Sequence, residues 1–382
     1  TDDGRIAARS GLGAVMGSKK LKAVSFRGKQ EVPIADKAGT KAITKKFLED
    51  YKKSKGGDRF TLKIMGFLSK VIARTGISVP ASASVVRELY KKYGTPGLTV
   101  LSGMTGDTPI KNWAGVGYTD FTYEKLMNIG GDKVVSNQKK KYACQNCPLG
   151  CGGLLDIKKG RYAGTEGHKP EYEAWGAFGS MMLVDDYDAI VEANEMCNRA
   201  GIDSISTGVS VTFAVECFEN GLIDEKTTGG LKLGWGRAEE VVKLTEMIIN
   251  REGFGDILAD GVKIAAQKIG NGAEAFAVHA GGQELPMHDP RLDSGYGLAY
   301  QCEPTPGRHT ISCNMYPELF AVNQQFPEAK KIIKQGQSKV QKEARQYATG
   351  SFFMQLINGC GLCEFGPMTG LLPIADYINA IT

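Results

Sequence analysis

Cys144-Gln-Asn-Cys147-Pro-Leu-Gly-Cys151 is the stretch from which the rest of this 382-residue chain is best read. Three thiolates within eight residues can hold three corners of a cuboidal iron–sulfur cluster, and one remote thiolate can close the fourth. The remote candidates stand in Asn358-Gly-Cys360-Gly-Leu-Cys363. Either would tie together parts of the chain about two hundred residues apart. Zinc is the competing reading, but zinc motifs usually pair two Cys-x2-Cys knuckles at short range, and here the spacing is two then three. The spacing therefore points to redox chemistry. Cys197, Cys217, Cys302 and Cys313 read as ordinary buried or half-buried thiols.

Composition sets the frame around that motif. A chain of this length with 42% hydrophobic residues can bury a large core, and at ~150 residues per domain it suggests two to three domains. The net charge of +5 is mild, and Lys19, Lys20, Lys22 and Lys139–Lys141 lack the interleaved aromatics of a nucleic-acid stripe. They read as solvated faces, so no nucleic-acid partner is expected. No apolar run reaches the ~18–20 residues of a membrane helix, and no signal peptide is visible. Nine cysteines without a regular disulfide framework suggest a reducing cytoplasm. Thr1-Asp-Asp-Gly is an unusual start, and Arg5–Lys22 reads as the end of something already folded, so a piece of a longer protein is expected.

Periodicity predicts a mainly helical chain with a little strand at the amino end. Helical patterns cover residues 38–55, 84–93, 186–200, 207–220, 237–251, 256–269 and 327–357. Gly270-Asn-Gly ends one of them as a C-cap. The amino end, Arg5 to Phe26, is glycine-rich, then basic, then strand-like, and its glycines allow a backbone to approach an anion closely. It lacks the Gly-x-Gly-x-x-Gly spacing of a dinucleotide fold. His279–His309 is rich in Gly and Pro around Leu285-Pro-Met-His288-Asp-Pro-Arg291, a segment that lines a site more readily than it fills a core. Asn198-Arg-Ala-Gly201-Ile202-Asp203 and Asn358-Gly-Cys-Gly361-Leu362-Cys363 echo one another, each after a helical pattern. Each places a polar pair at a helix carboxyl end where glycine frees the backbone.

Several blocks, in order, resemble the tungsten-containing aldehyde:ferredoxin oxidoreductases. They are the Arg5–Lys19 segment, the Cys-x2-Cys-x3-Cys run, Glu171-Tyr-Glu173, Gly201–Gly208, Arg251-Glu-Gly-Phe-Gly-Asp256, Glu284–Arg291 and Gly361-Leu-Cys363. The resemblance runs through nearly the whole chain. It implies two helical domains that enclose a bis-pterin metal cofactor, preceded by a β domain that forms the cofactor's base. Here it implies the end of that β domain over 1–33, a helical domain with the cysteines and first pterin motif over 34–278, and the start of a second helical domain with the second pterin motif over 279–382.

The resemblance also implies roles. Cys144, Cys147, Cys151 and Cys363 correspond to four ligands of a [4Fe–4S] cluster, which favours Cys363 over Cys360. Asn198, Gly201, Ile202 and Asp203 correspond to the motif holding one pterin, and Asn358, Gly361 and Leu362 to the motif holding the other. The family pattern usually opens with Asp where this chain has Asn, which keeps a carbonyl acceptor and loses the charge. Arg5 and the backbone of Ile6 correspond to a segment facing the pterin phosphates and their bridging magnesium. Glu173 and His309 correspond to the acid and histidine beside the tungsten. Glu192 corresponds to a glutamate that binds an intersubunit metal in some members. Its histidine partner position reads Val242 here, so that metal is not expected.

The implied reaction takes an aldehyde to a carboxylic acid at a tungsten or molybdenum bis-pterin centre, with electrons leaving through the cluster to ferredoxin, a similar carrier or an iron–sulfur subunit. Glu173 and His309 would handle the protons. Two other readings stand beside it. One is a subunit reducing aromatic acyl-CoA thioesters on the same scaffold, against which retention of both Glu173 and His309 weighs. The other is a non-catalytic electron-transfer subunit with the cluster and no pterin. A homo-oligomer fits any of these.

Overall fold

The computed structural model describes residues 6–53, 83–366 and 372–382. Arg5, expected at a cofactor phosphate, lies outside the described residues. The chain is mainly helical with two small sheets, and by compactness it divides into two units interleaved in sequence. The first unit contains residues 1–15 and 92–309, and the second contains 16–91 and 310–382.

The core of the first unit forms around helix Ser204–Glu219. Nearly all of its residues from Ile205 to Cys217 are buried, because its sequence is apolar on every side. A helix of that kind is stable only when surrounded. Helices Tyr172–Phe178, Tyr187–Ala200 and Ala238–Asn250 pack on it, and Trp175, Phe178, Phe213 and Leu244 are fully buried among them. Asp186 caps helix Tyr187–Ala200 by accepting from the amides of Asp188 and Ala189. Asp203 caps the next helix through Ile205 and Ser206. Each such cap stabilises its helix by about 1 kcal/mol.

The boundaries follow local chemistry. The 256–269 pattern is broken into Phe254–Leu258 and Val262–Ile269 at Gly261, whose φ of +86 ends one helix and opens the next. Gly270 caps the second, its amide donating to the Ala266 carbonyl at 2.8 Å. In the second unit the 327–357 pattern likewise divides, into Pro327–Lys334 and Lys339–Gly359, with Ser338 capping the longer helix. Phe320 and Phe326 pack their rings on Phe353 there, at 5.9 and 6.1 Å between centroids. Helix Lys37–Lys53 lies on Ile374–Ile381, tied by the Asp36 amide to the Ala380 carbonyl and by Thr44 to the Tyr377 hydroxyl at 2.8 Å.

The first strand of the larger sheet covers Lys139–Lys141, which the sequence reading took only as a solvated face. Strands β1 (Gln138–Tyr142), β2 (Gly152–Asp156) and β3 (Glu166–His168) form an antiparallel sheet in that order. Gln138-Lys-Lys-Lys-Tyr142 has no apolar alternation, so an edge strand with exposed lysines carries no strand signal in sequence. Strands β4 (His279–Ala280) and β5 (Gln283–Glu284) make a two-residue hairpin. The strand-like run at residues 22–26 joins no ladder among the described residues.

Candidate functional site

The proposed catalytic pair, Glu173 and His309, meets in one pocket of the first unit. Glu173 lies in the first turn of helix Tyr172–Phe178, whose start is pinned by Thr95: the Thr95 hydroxyl donates to Glu171 and accepts from the Tyr172 amide at 2.9 Å. Glu173 Oε2 accepts the Met287 amide at 2.8 Å. That approach needs Gly176, because a Cβ there would lie 2.6 Å from Met287 Cγ. Glu173 Oε1 is buried without a hydrogen bond and faces two imidazoles, His309 Nε2 at 3.4 Å and His288 Nε2 at 3.5 Å.

His288, from the Gly- and Pro-rich 279–309 segment expected to line a site, lies in the same pocket. Its backbone is held by the Tyr300 hydroxyl, which donates to the His288 carbonyl at 2.9 Å. Its ring stacks on Tyr296 at 4.9 Å and lies against Tyr172 at 5.1 Å. Its Nδ1 sits 2.9 Å from Asp107 Oδ2, and the Asp289 amide donates to the Asp107 carbonyl at 2.7 Å. Arg291, three residues after His288, pairs with Asp289 at 2.6 Å and reaches the Gly115 carbonyl.

Electrostatics follow from burial. Loss of solvent pushes the Glu173 carboxyl up from its usual range, opposed by the neighbouring His288, the Met287 amide and the charge of Arg9. Burial holds His309 well below the usual imidazole value, reinforced by the neighbouring His288 and by the charges of Arg9 and Arg308. His309 is therefore neutral at pH 7, and Glu173 keeps its proton to a higher pH than a solvated glutamate. The facing atoms of Glu173, His288 and His309 lie within 4.8 Å of one another, a spacing that either a cation or a shared proton satisfies. The guanidinium charges of Arg9 and Arg308 act on this pocket and weigh against any added positive charge there.

Arg9 also organises the pocket's edge. It pairs with Asp203 at 2.9 Å and donates to the carbonyls of Glu284, at 2.8 Å, and Gly307. Its Nε is buried with no acceptor, so the residue keeps one donor for an anionic group. Asp203 is thus already engaged by Arg9, by the Ser206 hydroxyl at 2.9 Å and by the helix cap. Asn198 and Ile202 are half-buried around it, and Ile6 is half-buried near the chain start.

Both Asn-x-x-Gly echoes sit at helix carboxyl ends, each in its own unit. Gly201 (φ +76) follows Tyr187–Ala200, with the Ile202 amide donating to the Cys197 carbonyl at 3.1 Å. Gly361 (φ +66) follows Lys339–Gly359, with the Leu362 amide donating to the Ile357 carbonyl at 3.0 Å. Only glycine takes that left-handed turn cheaply. Asn358, Gly361 and Leu362 are exposed.

Three cysteines share one loop. Residues 143–151 run between β1 and β2, whose Tyr142–Gly152 pairing fixes both ends of the loop. The Cys147 amide donates to the Cys144 carbonyl at 3.0 Å, and Asn146 and Gly150 have positive φ. Lys169, buried, donates to the Cys151 carbonyl at 2.8 Å and to the Tyr93 carbonyl at 2.7 Å. Cys144 is exposed, and Cys147 and Cys151 are half-buried, so soft thiolate donors gather on one short segment, a set suited to iron–sulfur. Cys363, in the second unit, is exposed, as is Cys360. Cys197 and Cys217 are buried and their thiols are pushed up to about 12, while Cys313 is buried and Cys302 is exposed. Glu192 accepts from the Arg161 amide and Nε, both at 3.2 Å, on the unit's surface.

A mainly helical scaffold with a buried acid–histidine pocket and a loop of three thiols defines a redox-protein class. Residues 71–382 match the family described as aldehyde ferredoxin oxidoreductase, domains 2 and 3, and the chain belongs to that family. It is 34% identical over 319 residues to the tungsten-containing aldehyde ferredoxin oxidoreductase of Pyrococcus furiosus, covering 83% of this chain and 46% of that protein. It is 27% identical to the WOR-like subunit of an aliphatic sulfonate oxidoreductase from the same organism, over 80% of this chain and 44% of that subunit. In fold it is similar to the active-site complex BamBC of benzoyl coenzyme A reductase, with a TM-score of 0.56 and 23% identity over 79% of this chain and 42% of that one. The chain thus spans about half the length of the relatives it matches. No helix among the described residues is long and apolar enough to cross a membrane.

Proposed function

We propose that this chain carries the proton-handling and electron-exit parts of a tungsten-pterin aldehyde oxidoreductase. The observation that carries the reading is the meeting of Glu173 Oε1 and His309 Nε2 at 3.4 Å in a buried pocket, in a member of the aldehyde ferredoxin oxidoreductase family. When bound, a tungsten or molybdenum bis-pterin supplies a two-electron acceptor, and a [4Fe–4S] cluster passes the electrons singly to ferredoxin or a similar carrier. Cys144, Cys147, Cys151 and Cys363 are the thiolates assigned to that cluster. Asn198, Gly201, Ile202 and Asp203, with Asn358, Gly361 and Leu362, are the residues assigned to the two pterins. Arg5 and Ile6 are assigned to the phosphates and their magnesium. The buried, acceptor-free Nε of Arg9 supports an anion at the same edge.

The residues' own chemistry follows from their environment. Glu173, with its carboxyl pushed up by burial, is a stronger base than a solvated glutamate and takes a proton from the attacking water. His309, neutral, offers an imidazole N–H to the substrate oxygen as charge develops there. The pocket's aromatic walls, Tyr172 and Tyr296, keep water from competing.

The reading is tested on the full-length protein purified without oxygen. About one tungsten with about four irons per chain, and aldehyde turnover, is expected. His309→Ala should keep the metal content and lower turnover by about 100-fold or more. Iron without tungsten or molybdenum would favour the electron-transfer subunit, zinc alone would overturn the cluster, and turnover confined to aromatic acyl-thioesters would move the substrate to that class.

A further inference from the structure

The pocket contains more proton-handling equipment than one acid and one histidine. Asp107, His288, Glu173 and His309 form a continuous line: Asp107 Oδ2 to His288 Nδ1 at 2.9 Å, His288 Nε2 to Glu173 Oε1 at 3.5 Å, and Glu173 Oε1 to His309 Nε2 at 3.4 Å. Asp107 and His288 are both buried. A buried carboxylate beside Nδ1 accepts the Nδ1–H, which puts the ring's proton on Nδ1 and its basic lone pair on Nε2, facing Glu173. The same arrangement stabilises an imidazolium once Nε2 gains a proton.

The reaction stoichiometry gives this line a task. Aldehyde plus water going to acid releases two protons and two electrons, and one carboxylate can take one proton at a time. We infer that His288, held by Asp107, is the second proton acceptor of the pocket, emptying Glu173 between the two proton releases. This rests on the aldehyde-oxidase reading, which supplies the oxidant, a pterin-bound metal centre that takes the electron pair. In the first transfer the water O–H bond breaks and its proton goes to Glu173 Oε1. That proton then passes to His288 Nε2, and the Asp107 carboxylate balances the new charge. The proton lost from the former aldehyde carbon goes to the emptied Glu173. Asp107 touches no substrate and is a positioning residue.

Among the described residues, the groups named here that face His288 are committed elsewhere or do not titrate in its place. Tyr172 and Tyr296 offer ring faces, and the Tyr172 hydroxyl is committed to the Met287 carbonyl at 2.6 Å. The Tyr300 hydroxyl is committed to the His288 carbonyl. Arg9 and Arg308 are fixed cations acting on the pocket, and His309 stays neutral under their field.

The experiment uses the full-length, cofactor-loaded protein labelled with 15N-histidine, in which the signal lost in His288→Gln is assigned to His288. In the parent protein, His288 should show a protonated Nδ1 and an Nε2 that titrates. In Asp107→Asn, loss of the carboxylate should lower the His288 titration midpoint by about one pH unit or more. The acidic limb of the kcat profile should move with it, kcat should fall about tenfold or more, and KM should stay within about twofold. Asp107→Glu should recover part of both. An unchanged His288 titration, or an unmoved kcat profile, overturns the proposal. If Asp107→Asn fails to fold, His288→Gln carries the test: unchanged kcat there overturns it, and a tenfold loss at constant KM supports it. Absence of aldehyde turnover in the parent protein would overturn the functional reading, while the 15N tautomer and titration still decide whether Asp107 governs His288.

Discussion

The acid–histidine pocket and the cysteine loop of the first unit are built in opposite ways. Two members of the pocket are fixed by protein: Glu173 by the Met287 amide, with its helix start pinned by Thr95, and His288 by Asp107 and Tyr300. The loop at 143–151 is anchored at its ends, by Lys169 and by the buried Leu149, and its first cysteine is exposed. Buried polar groups are costly unless satisfied, so a pocket that handles protons has to be assembled by the fold itself. Thiolates can wait in solvent for metal that completes their geometry. On the proposed reading the proton site is preorganised, whereas the electron site would be finished by its ligand.

The sharpest way to break this contrast is at the loop. Cys147→Ala should bring iron below about one atom per full-length chain and abolish carrier-linked turnover, because three remaining thiolates hold a cubane poorly. Cys302→Ala, an exposed cysteine outside the motif, should leave iron unchanged. Iron analysis with an assay of carrier reduction checks both, and retained iron in Cys147→Ala would remove that residue from the ligand set. A smaller effect is expected at Lys169, whose buried ammonium lies 2.8 Å from the Cys151 carbonyl. A nearby positive charge favours the more negative, reduced cluster. Lys169→Met should therefore lower the cluster midpoint by tens of millivolts, at about 59 mV per 1.4 kcal/mol for a one-electron couple. Redox titration followed by electron paramagnetic resonance reads the shift, and an unmoved midpoint would make Lys169 a purely structural tie.

Much of this was legible in the sequence, for physical reasons. The helices ending at Ala200 and Gly359 announce their ends through Gly201 and Gly361, because a left-handed turn needs glycine. Glu173 and His309 were found through the family resemblance, and they do meet. What stayed hidden depends on long-range contact or on weak local signal. Asp107 joins His288 across 181 positions, and nothing in Gly106-Asp-Thr marks that aspartate as a partner. Arg9 and Asp203 meet across 194 positions. The lysine-rich β1 lacks the alternation that would reveal a strand, and no local pattern reveals that the two compact units interleave along the chain.

Asp203 offers the finest test, because it stands between the two kinds of site. The sequence assigns it to a pterin, whereas the structure occupies it with a helix cap and Arg9. Removing the cap and a partly buried ion pair by Asp203→Ala should cost about 1–2 kcal/mol and lower the melting temperature of the cofactor-free protein by about 2–4 °C. If the side chain serves only the fold, the loaded protein should lose the same amount. If it also holds the cofactor, a ligand that binds only the native state adds its lost affinity to the change, and the loaded protein should lose more. Calorimetry on both forms therefore separates a preorganised scaffold residue from one completed by its ligand. An equal loss in the two forms would withdraw Asp203 from the pterin set and leave Asn198, Gly201 and Ile202 to carry it.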